Sequence, residues 1–169
     1  MTPAPIDPYG IAKYMVEMDI EQARHQFGLR YNIIRPHNVF GIYQNIWDRY
    51  RNVIGIFIRR VLDLEPMLIY GDGEQTRAFS DIKYYMEPFE KLIDNTHNDQ
   101  TFNIGADKSW TINEAARVVG AVASKYGYKA TTKNVEARHE AKHAYCDHAK
   151  AKDPKGLNFT DHTDLEKLI

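Results

Sequence analysis

The sequence predicts an α/β fold, because helical and strand-like patterns alternate along its 169 residues. Short β-branched or apolar runs, closed by proline or glycine, have the pattern of strands. The longer segments place apolar residues three or four positions apart, as amphipathic helices do. A chain of this length fits one domain and can bury a substantial core.

Helix ends carry the clearest local signals. Asp7 followed by Pro8 has the pattern of an N-cap and a first helical residue, and Gly28 is a typical helix end. Thr111, with Glu114 three residues later, has the capping-box pattern. Together with the apolar spacing, these signals predict helices over residues 9–26, 52–64, 84–95, 111–126 and 163–169.

The predicted strands lie between these helices. Residues 30–35 read R-Y-N-I-I-R and stop at Pro36, and an irregular loop follows over 36–50. Gly71-Asp72-Gly73 predicts a turn. Further strands are predicted over 67–70, 101–104, 130–136 and 143–146, with an extended segment at 78–80.

Composition argues against several classes of partner. The formal net charge is -1, so no broad field favours nucleic acid or an anionic membrane. No apolar run approaches the roughly 18 residues of a membrane span, and the first residues lack a signal-peptide pattern. The single cysteine, Cys146, excludes an internal disulfide. We therefore expect a cytoplasmic protein.

Tyr9 and Lys13 are a candidate catalytic pair, because residues four apart on a helix share a face. A phenol ionises near pH ~10, and a nearby ammonium lowers that value. Such a pair can act as a general base on a sugar hydroxyl. With 11 tyrosines in the chain, however, the spacing alone is close to what chance produces.

Four segments in order carry a stronger signal than the pair. They are residues 8–13 (P-Y-G-I-A-K), 35–41 (R-P-H-N-V-F-G), 69–77 (I-Y-G-D-G-E-Q-T-R) and 102–105 (F-N-I-G). They resemble segments of the extended short-chain dehydrogenases, the NAD-dependent epimerase/dehydratase family that includes UDP-glucose 4-epimerase-like enzymes. The resemblance covers most of the chain and is weakest after about residue 150.

The resemblance implies a partial Rossmann-like fold, with its carboxy-terminal strands and helices, and the smaller α/β substrate-binding domain of these enzymes. The chain 1–169 is then expected to be a single carboxy-terminal fragment. Residues 1–50 would be a remnant of the NAD-binding domain, and residues 51–169 mostly the nucleotide-sugar-binding domain. The sequence contains no G-x-x-G-x-x-G turn, and in the family both that turn and the catalytic serine or threonine precede the tyrosine.

The resemblance also implies roles for single residues. Tyr9 would be the catalytic base and would contact the cofactor. Lys13 would activate Tyr9 and bind the ribose hydroxyls of NAD. Pro36 and His37 would lie beside the nicotinamide.

Three further residues are implied to bind the substrate. Asn38 would hydrogen-bond the diphosphate or the sugar, and Arg77 and Arg138 would bind the diphosphate. A guanidinium group suits this role because its paired donors match phosphate oxygens. Without the resemblance, the arginines could equally be solvated surface charges, and Asn38 a turn residue.

The implied parent enzyme binds a nucleotide-diphosphate sugar and epimerises it by transient NAD-dependent oxidation; a UDP-sugar 4-epimerase is the first expectation. A nucleotide-sugar 4,6-dehydratase and a non-catalytic sugar-nucleotide-binding module stay open as alternatives. We expect the 169 residues alone to be inactive and to lack the cradle for the NAD phosphates. They should associate with the missing half of the enzyme, or with a second copy of the chain. The second case would give a homodimer formed through the Tyr9 helix.

Two departures from the family pattern stand out. The segment after Arg77 has Asp81 where the family has tyrosine, and Lys83-Tyr84 where it has an acidic pair. The family's R-x-G-D near the diphosphate is replaced by residues 138–141, R-H-E-A.

Residues 139–143 also satisfy H-E-x-x-H, a pattern of zinc hydrolases when it lies on a helix. Its polar flanks disfavour such a helix, so we predict no metal ligands. Cys146 is predicted to be a buried small residue.

Overall fold

The computed structural model describes residues 3–48, 52–93, 98–144 and 146–169. Its helices are α1 (Pro8–Phe27), α2 (Val53–Leu62), α3 (Met86–Ile93), α4 (Ile112–Lys125), α5 (Ala149–Lys152) and α6 (Leu165–Leu168), with a 3₁₀ turn at Ile82–Tyr85. Its strands are β1 (Asn32–Pro36), β2 (Val39–Phe40), β3 (Met67–Tyr70), β4 (Thr76–Ala78), β5 (Ser80–Asp81), β6 (Gln100–Ile104), β7 (Ser109–Thr111), β8 (Thr132–Val135) and β9 (His143–Ala144). The predicted α/β class is confirmed.

Within the described ranges the strands form four small sheets. β1 pairs with β6, β2 with β5, and β3 with β8, each in parallel. β4 lies between antiparallel β7 and parallel β9. The first ladder continues past its strands, since His37 N donates to Ile104 O over 3.0 Å. The segments that follow β1 and β6 therefore meet at one sheet edge, where parallel α/β folds place their ligands.

Helix α1 forms for local reasons and is held to the rest by charge. The Asp7 side chain accepts from Gly10 N over 2.8 Å, and Gly28 ends the helix with φ 70°. None of its residues is buried. Among the described residues, two ion pairs tie it to the molecule, Arg35 with Glu17 and Arg24 with Asp99. Its position therefore depends little on apolar burial.

The main core lies between α2, β3 and α4. Ile54 and Phe57 of α2 and Val119 of α4 are at most 1% exposed. The capping box predicted at Thr111 is present, with Glu114 N donating to Thr111 Oγ1 over 3.0 Å. A second cluster lies beneath β6 and consists of Tyr85, Phe102, Ile104, Ala151, Leu157 and Phe159.

The turn at 71–73 needs glycine for two reasons. Gly71 and Gly73 have φ values of 69° and 77°, which side chains other than glycine rarely adopt. A Cβ on Gly73 would also lie 2.2 Å from Asn113 Oδ1. Asn113 Nδ2 donates to Asp72 O over 2.9 Å, so the turn is fixed against the start of α4.

Most predicted elements are present with shifted ends, and β3 coincides with the predicted strand 67–70. The short elements β2, β7 and α5 were not predicted. The strand predicted at 143–146 is correct for β9 and wrong for Cys146; residue 145, like residues 94–95 of the predicted helix 84–95, lies outside the described residues. The division of the chain at residue 50 stays a prediction. No described helix is both long and apolar enough to cross a bilayer.

Candidate functional site

The predicted site residues other than His37 line two clefts, which contain Pro36 and Asn38 respectively. The first, here called the tyrosine cleft, lies between α1 and β1 and is lined by Tyr9, Lys13 and Pro36 among others. The second, here called the arginine cleft, is lined by Asn38, Arg60, Arg77, Arg138 and Glu140 among others. The structure thus brings together three predicted cofactor contacts in one cleft and all three predicted substrate contacts in the other.

Tyr9 and Lys13 lie in the first turns of α1 and share a face. The Lys13 Nζ atom is 5.5 Å from the centroid of the Tyr9 ring. Tyr9 is 74% exposed, so its hydroxyl can be reached by a molecule in the cleft. The N-cap at Asp7 fixes the turn that carries Tyr9.

The pair Arg35–Glu17 places α1 beside β1. Arg35 Nε donates to Glu17 Oε1 over 2.8 Å, and a second bond joins Arg35 Nη2 to Glu17 Oε2. The hydrogen bond to Glu17 raises the pKa of Arg35 above its ordinary value. Because Pro36 follows Arg35 directly, this bidentate pair sets the distance between Pro36 and the face of α1 that carries Lys13.

His37 lies between the clefts but is engaged elsewhere. Its Nε2 atom is 2.5 Å from Ala144 O, and its Nδ1 atom is 3.4 Å from Cys146 Sγ. Burial lowers the pKa of His37, which favours the neutral imidazole. The predicted contact of His37 with a nicotinamide stays a prediction.

The arginine cleft has a volume of about 440 Å³ and carries an excess of positive charge. Of the described residues that line it, three present guanidinium groups, and one, Glu140, presents a carboxylate. Arg77 Nη2 is 3.0 Å from Glu140 Oε2, and the side chain of Arg77 is only 14% exposed. The Arg138 guanidinium lies over the Tyr70 ring, 3.6 Å from its centroid. Both groups are held in place and still border the cleft.

Two asparagines border the same cleft in left-handed conformations. Asn38 and Asn52 both have φ 43°. The backbone of Asn38 accepts from Ser80 N over 3.3 Å, and Asn52 Nδ2 donates to Val39 O over 2.7 Å. Asn38 is therefore a turn residue and a cleft residue at once, so the two interpretations of it are compatible.

Sequence reasoning missed several residues of the arginine cleft. Arg60 follows Val53, Ile56 and Phe57 at helical spacing on α2, and that spacing could have identified it. Glu140 was interpreted only as part of H-E-x-x-H. Asn52 and Gln75 carry no comparable signal, because long-range pairing brings them to the cleft.

The H-E-x-x-H segment does not form a helical metal site. Residues 139–142 have no helical structure, and His143 belongs to β9. His143 Nδ1 is 2.9 Å from Thr76 Oγ1, and Glu140 pairs with Arg77. The zinc-hydrolase alternative therefore lacks its structural basis.

The unusual segment after Arg77 has a structural explanation. The Asp81 side chain accepts from Lys83 N over 3.0 Å and caps the 3₁₀ turn. Lys83 Nζ lies 2.8 Å from Asp81 Oδ2, and this hydrogen bond raises the pKa of Lys83. The helix entry is preserved with different residues.

Several known proteins are similar to this chain in sequence or in fold. Residues 1–105 match the model of the family described as "NAD dependent epimerase/dehydratase family". A putative UDP-glucose 4-epimerase of Methanocaldococcus jannaschii is 33% identical over 117 residues, which are 68% of this chain and 37% of that protein. A UDP-N-acetyl-alpha-D-glucosaminuronate decarboxylase of Bacillus cytotoxicus is 34% identical over 53% of this chain and 28% of its own length.

Among solved structures, a UDP-glucose 4-epimerase of Thermotoga maritima with UDP-glucose matches with a TM-score of 0.83 and 29% identity. The match covers 98% of this chain and 52% of that one. This chain thus spans about half the length of that enzyme.

Proposed function

Because the chain belongs to the NAD-dependent epimerase/dehydratase family, we propose that it is the substrate-binding and tyrosine-bearing part of a UDP-sugar 4-epimerase. The main observation behind the proposal is that Asn38, Arg77 and Arg138 all line the arginine cleft. Its volume falls within the range of small-molecule sites, about 300–1,000 Å³. Its guanidinium groups can form charge-assisted hydrogen bonds with a diphosphate.

Substrate binding would begin at Arg77 and Arg138. Arg138 is stacked on Tyr70, so it loses little rotamer freedom when it binds a phosphate oxygen. Arg77 can exchange its contact with Glu140 for a phosphate oxygen, or keep both. Asn38 can then hydrogen-bond the diphosphate or the adjoining sugar.

The tyrosine cleft would hold the reacting part of the ligands. Lys13 and Pro36 fit the ribose and nicotinamide end of NAD, since an ammonium group and an exposed proline face one space. NAD, when bound, supplies reversible hydride acceptance at the sugar carbon. Tyr9 would remove the proton of the sugar hydroxyl, and the Lys13 ammonium would favour the phenolate. No glycine-rich phosphate cradle occurs in the 169 residues, so we predict no turnover by this chain alone.

The 4-epimerase assignment is preferred over a decarboxylase because the epimerase relative matches more of the chain in sequence. The M. jannaschii relative is matched over 68% of this chain, against 53% for the B. cytotoxicus decarboxylase. A non-catalytic UDP-sugar-binding module would use the arginine cleft alone.

Helix α1 is proposed to pack against a second copy or against further sequence of the enzyme. It has no buried residue, and Met15, Val16 and Phe27 are each more than half exposed. Light scattering on the purified chain should therefore show dimers or larger species, whereas a monodisperse monomer would contradict this proposal. Cytoplasmic localisation stays a prediction.

Calorimetric titration with UDP, UMP and uridine tests the arginine cleft. UDP should bind most tightly, and Arg77→Met or Arg138→Met should each weaken UDP binding by about tenfold or more, because a charge-assisted bond contributes about 1.5–3 kcal/mol. Arg117→Met, on the exposed face of α4, is the matched control and should change nothing. Equal affinity for UDP and uridine, or unchanged binding in both cleft variants, would refute the proposal.

Ligand choice separates the candidate activities. UDP-glucose should bind more tightly than dTDP-glucose or UDP-glucuronic acid. Preference for dTDP-glucose would favour a dehydratase, and preference for UDP-glucuronic acid would favour a decarboxylase or a 4-epimerase of UDP-glucuronic acid over an epimerase of UDP-glucose. If the arginine cleft alone binds UDP-glucose, adding NAD should leave the affinity for UDP-glucose unchanged.

A further inference from the structure

Three potential metal ligands meet beside the sheet edge, outside both clefts. His37 directly follows β1, and Cys146 and His148 lie between β9 and α5. One ligand atom from each residue lies within 4.8 Å of the other two. His37 Nδ1 is 3.4 Å from Cys146 Sγ, and Cys146 Sγ is 2.9 Å from His148 Nε2. Among the described residues this is the group close enough to hold a metal ion.

The contacts of both histidines leave one ring nitrogen of each facing the sulfur. His37 Nε2 lies 2.5 Å from Ala144 O and must donate to that carbonyl, which leaves Nδ1 as the acceptor facing Cys146. His148 Nδ1 lies 3.6 Å from Asp107 Oδ1, so its Nε2 atom faces the sulfur. Metal-bound histidines have this arrangement, with the outer nitrogen directed at a carbonyl or a carboxylate.

The surroundings also suit a bound ion. His148 is 5% exposed, and Cys146 and His37 are half-buried. A Cβ on Gly105 would lie 2.7 Å from His37 Cβ and 3.2 Å from His148 Nε2. Gly105 follows β6 directly, so a residue without a side chain is required there if both imidazoles are to approach the thiol.

We propose that His37, Cys146 and His148 form a Zn²⁺ site with two nitrogen ligands and one sulfur ligand. At Zn–S of about 2.3 Å and Zn–N of about 2.0–2.1 Å, tetrahedral geometry separates sulfur and nitrogen by about 3.6 Å. The distance from Cys146 to His37 already matches, and the one to His148 needs to open by less than about 1 Å. On binding, the thiol proton leaves to solvent and the thiolate and two neutral imidazoles fill three positions. Water fills the fourth.

The site would act on the fold and, through it, on the clefts. His37 lies between Pro36 of the tyrosine cleft and Asn38 of the arginine cleft, while Cys146 follows the segment that carries Arg138 and Glu140. Bound Zn²⁺ would therefore hold the segment that carries Arg138 and Glu140 against the carboxyl end of β1. No short sequence pattern joins these ligands, because His37 and Cys146 are 109 positions apart.

Titration of the chelator-treated chain with Co²⁺, followed by displacement with Zn²⁺, tests the site. A single equivalent should produce a thiolate-to-cobalt absorption band, and Zn²⁺ should remove it. Cys146→Ser should abolish the band, and His148→Gln should weaken binding by more than about 100-fold, beyond the loss expected for an outer hydrogen-bond partner. His143→Gln in the H-E-x-x-H segment is the matched control and should bind normally. A missing band, or a band lost in His143→Gln, would overturn the proposal.

Alkylation of the native chain gives a second measurement that needs no variant. Cys146 is the only cysteine, so each modification reports on this position. Zn²⁺ should slow the modification strongly, and Mg²⁺ should not, since thiolate ligands select zinc over magnesium. An unchanged rate with Zn²⁺ would contradict the site even if the variants failed to fold.

Discussion

Helices α1 and α4 begin with the same kind of side-chain cap but differ in how they are attached to the rest of the fold. Each has a side-chain N-cap, Asp7 in α1 and Thr111 in α4. Helix α4 buries six residues, whereas α1 buries none over its 20 residues. Capping therefore decides where both helices start, and burial fixes only α4 in the fold. The arginine cleft is built next to the packed core, and the tyrosine cleft depends on a helix fixed by charge.

The largest expected effect is loss of a core side chain. Ile54→Ala should lower the free energy of unfolding by about 2–5 kcal/mol, because Ile54 is fully buried on α2 and its removal leaves a cavity. At concentrations where the chain is monomeric, Met15→Ala on α1 should change it by less than about 0.5 kcal/mol, because Met15 is exposed in the single chain. Urea unfolding of the two variants measures the difference. Equal losses would show that α1 is packed as firmly as the core.

Removal of the α1 cap should loosen one helix without affecting the core. Asp7→Ala should weaken the start of α1 by about 0.5–2 kcal/mol, because Gly10 N loses its acceptor. Amide exchange should accelerate in residues 10–12 and stay unchanged in α4. Thr111→Ala is the matched change in α4, and it should lower global stability instead. A loss of global stability in Asp7→Ala would contradict this difference between α1 and α4.

Tyr85 tests the second core at alkaline pH. Its hydroxyl donates to Ile104 O over 3.0 Å, and burial raises its pKa above the ordinary value of 10.0. The folded chain therefore binds this proton more tightly than the unfolded chain. Its contribution is complete below pH 10 and is lost as pH rises through the folded pKa. Tyr85→Phe should cost about 0.5–1.5 kcal/mol at neutral pH and reduce the alkaline loss.

Unfolding midpoints at pH 7 and at about pH 11 measure this change. Exposed Tyr9→Phe is the control and should leave both midpoints unchanged. An alkaline loss of equal size in Tyr85→Phe and in the unmodified chain would show that another group causes it.

The smallest expected effect concerns the ion pair that holds α1. Glu17→Gln should cost at most about 1 kcal/mol, since Arg35 is 41% exposed and solvent screens the pair. Raising the salt concentration should loosen α1 in the unmodified chain and have little further effect in the variant. Amide exchange of α1 at low and high salt measures this. A salt-independent α1 in the unmodified chain would show that charge does not hold it.

The sequence predicted features that depend on local chemistry. The caps at Asp7 and Thr111 were identified from neighbouring residues. The motifs identified Asn38 and Arg77, the family resemblance implied Arg138, and the structure brings all three to one cleft. Features set by long-range pairing were missed. Strand β2 pairs with β5, which lies far from it in sequence, and Cys146 meets His37 where the end of β9 lies beside the segment after β1.

The most direct test of the account is amide exchange with and without saturating UDP-glucose. We predict protection of residues 38–40, 75–77 and 138–140 around the arginine cleft, while α1 exchanges at the same rate in both states. Arg77→Met should remove the protection at the same ligand concentration. Protection centred on α1, or protection that survives Arg77→Met and Arg138→Met, would contradict a substrate site built on the packed core.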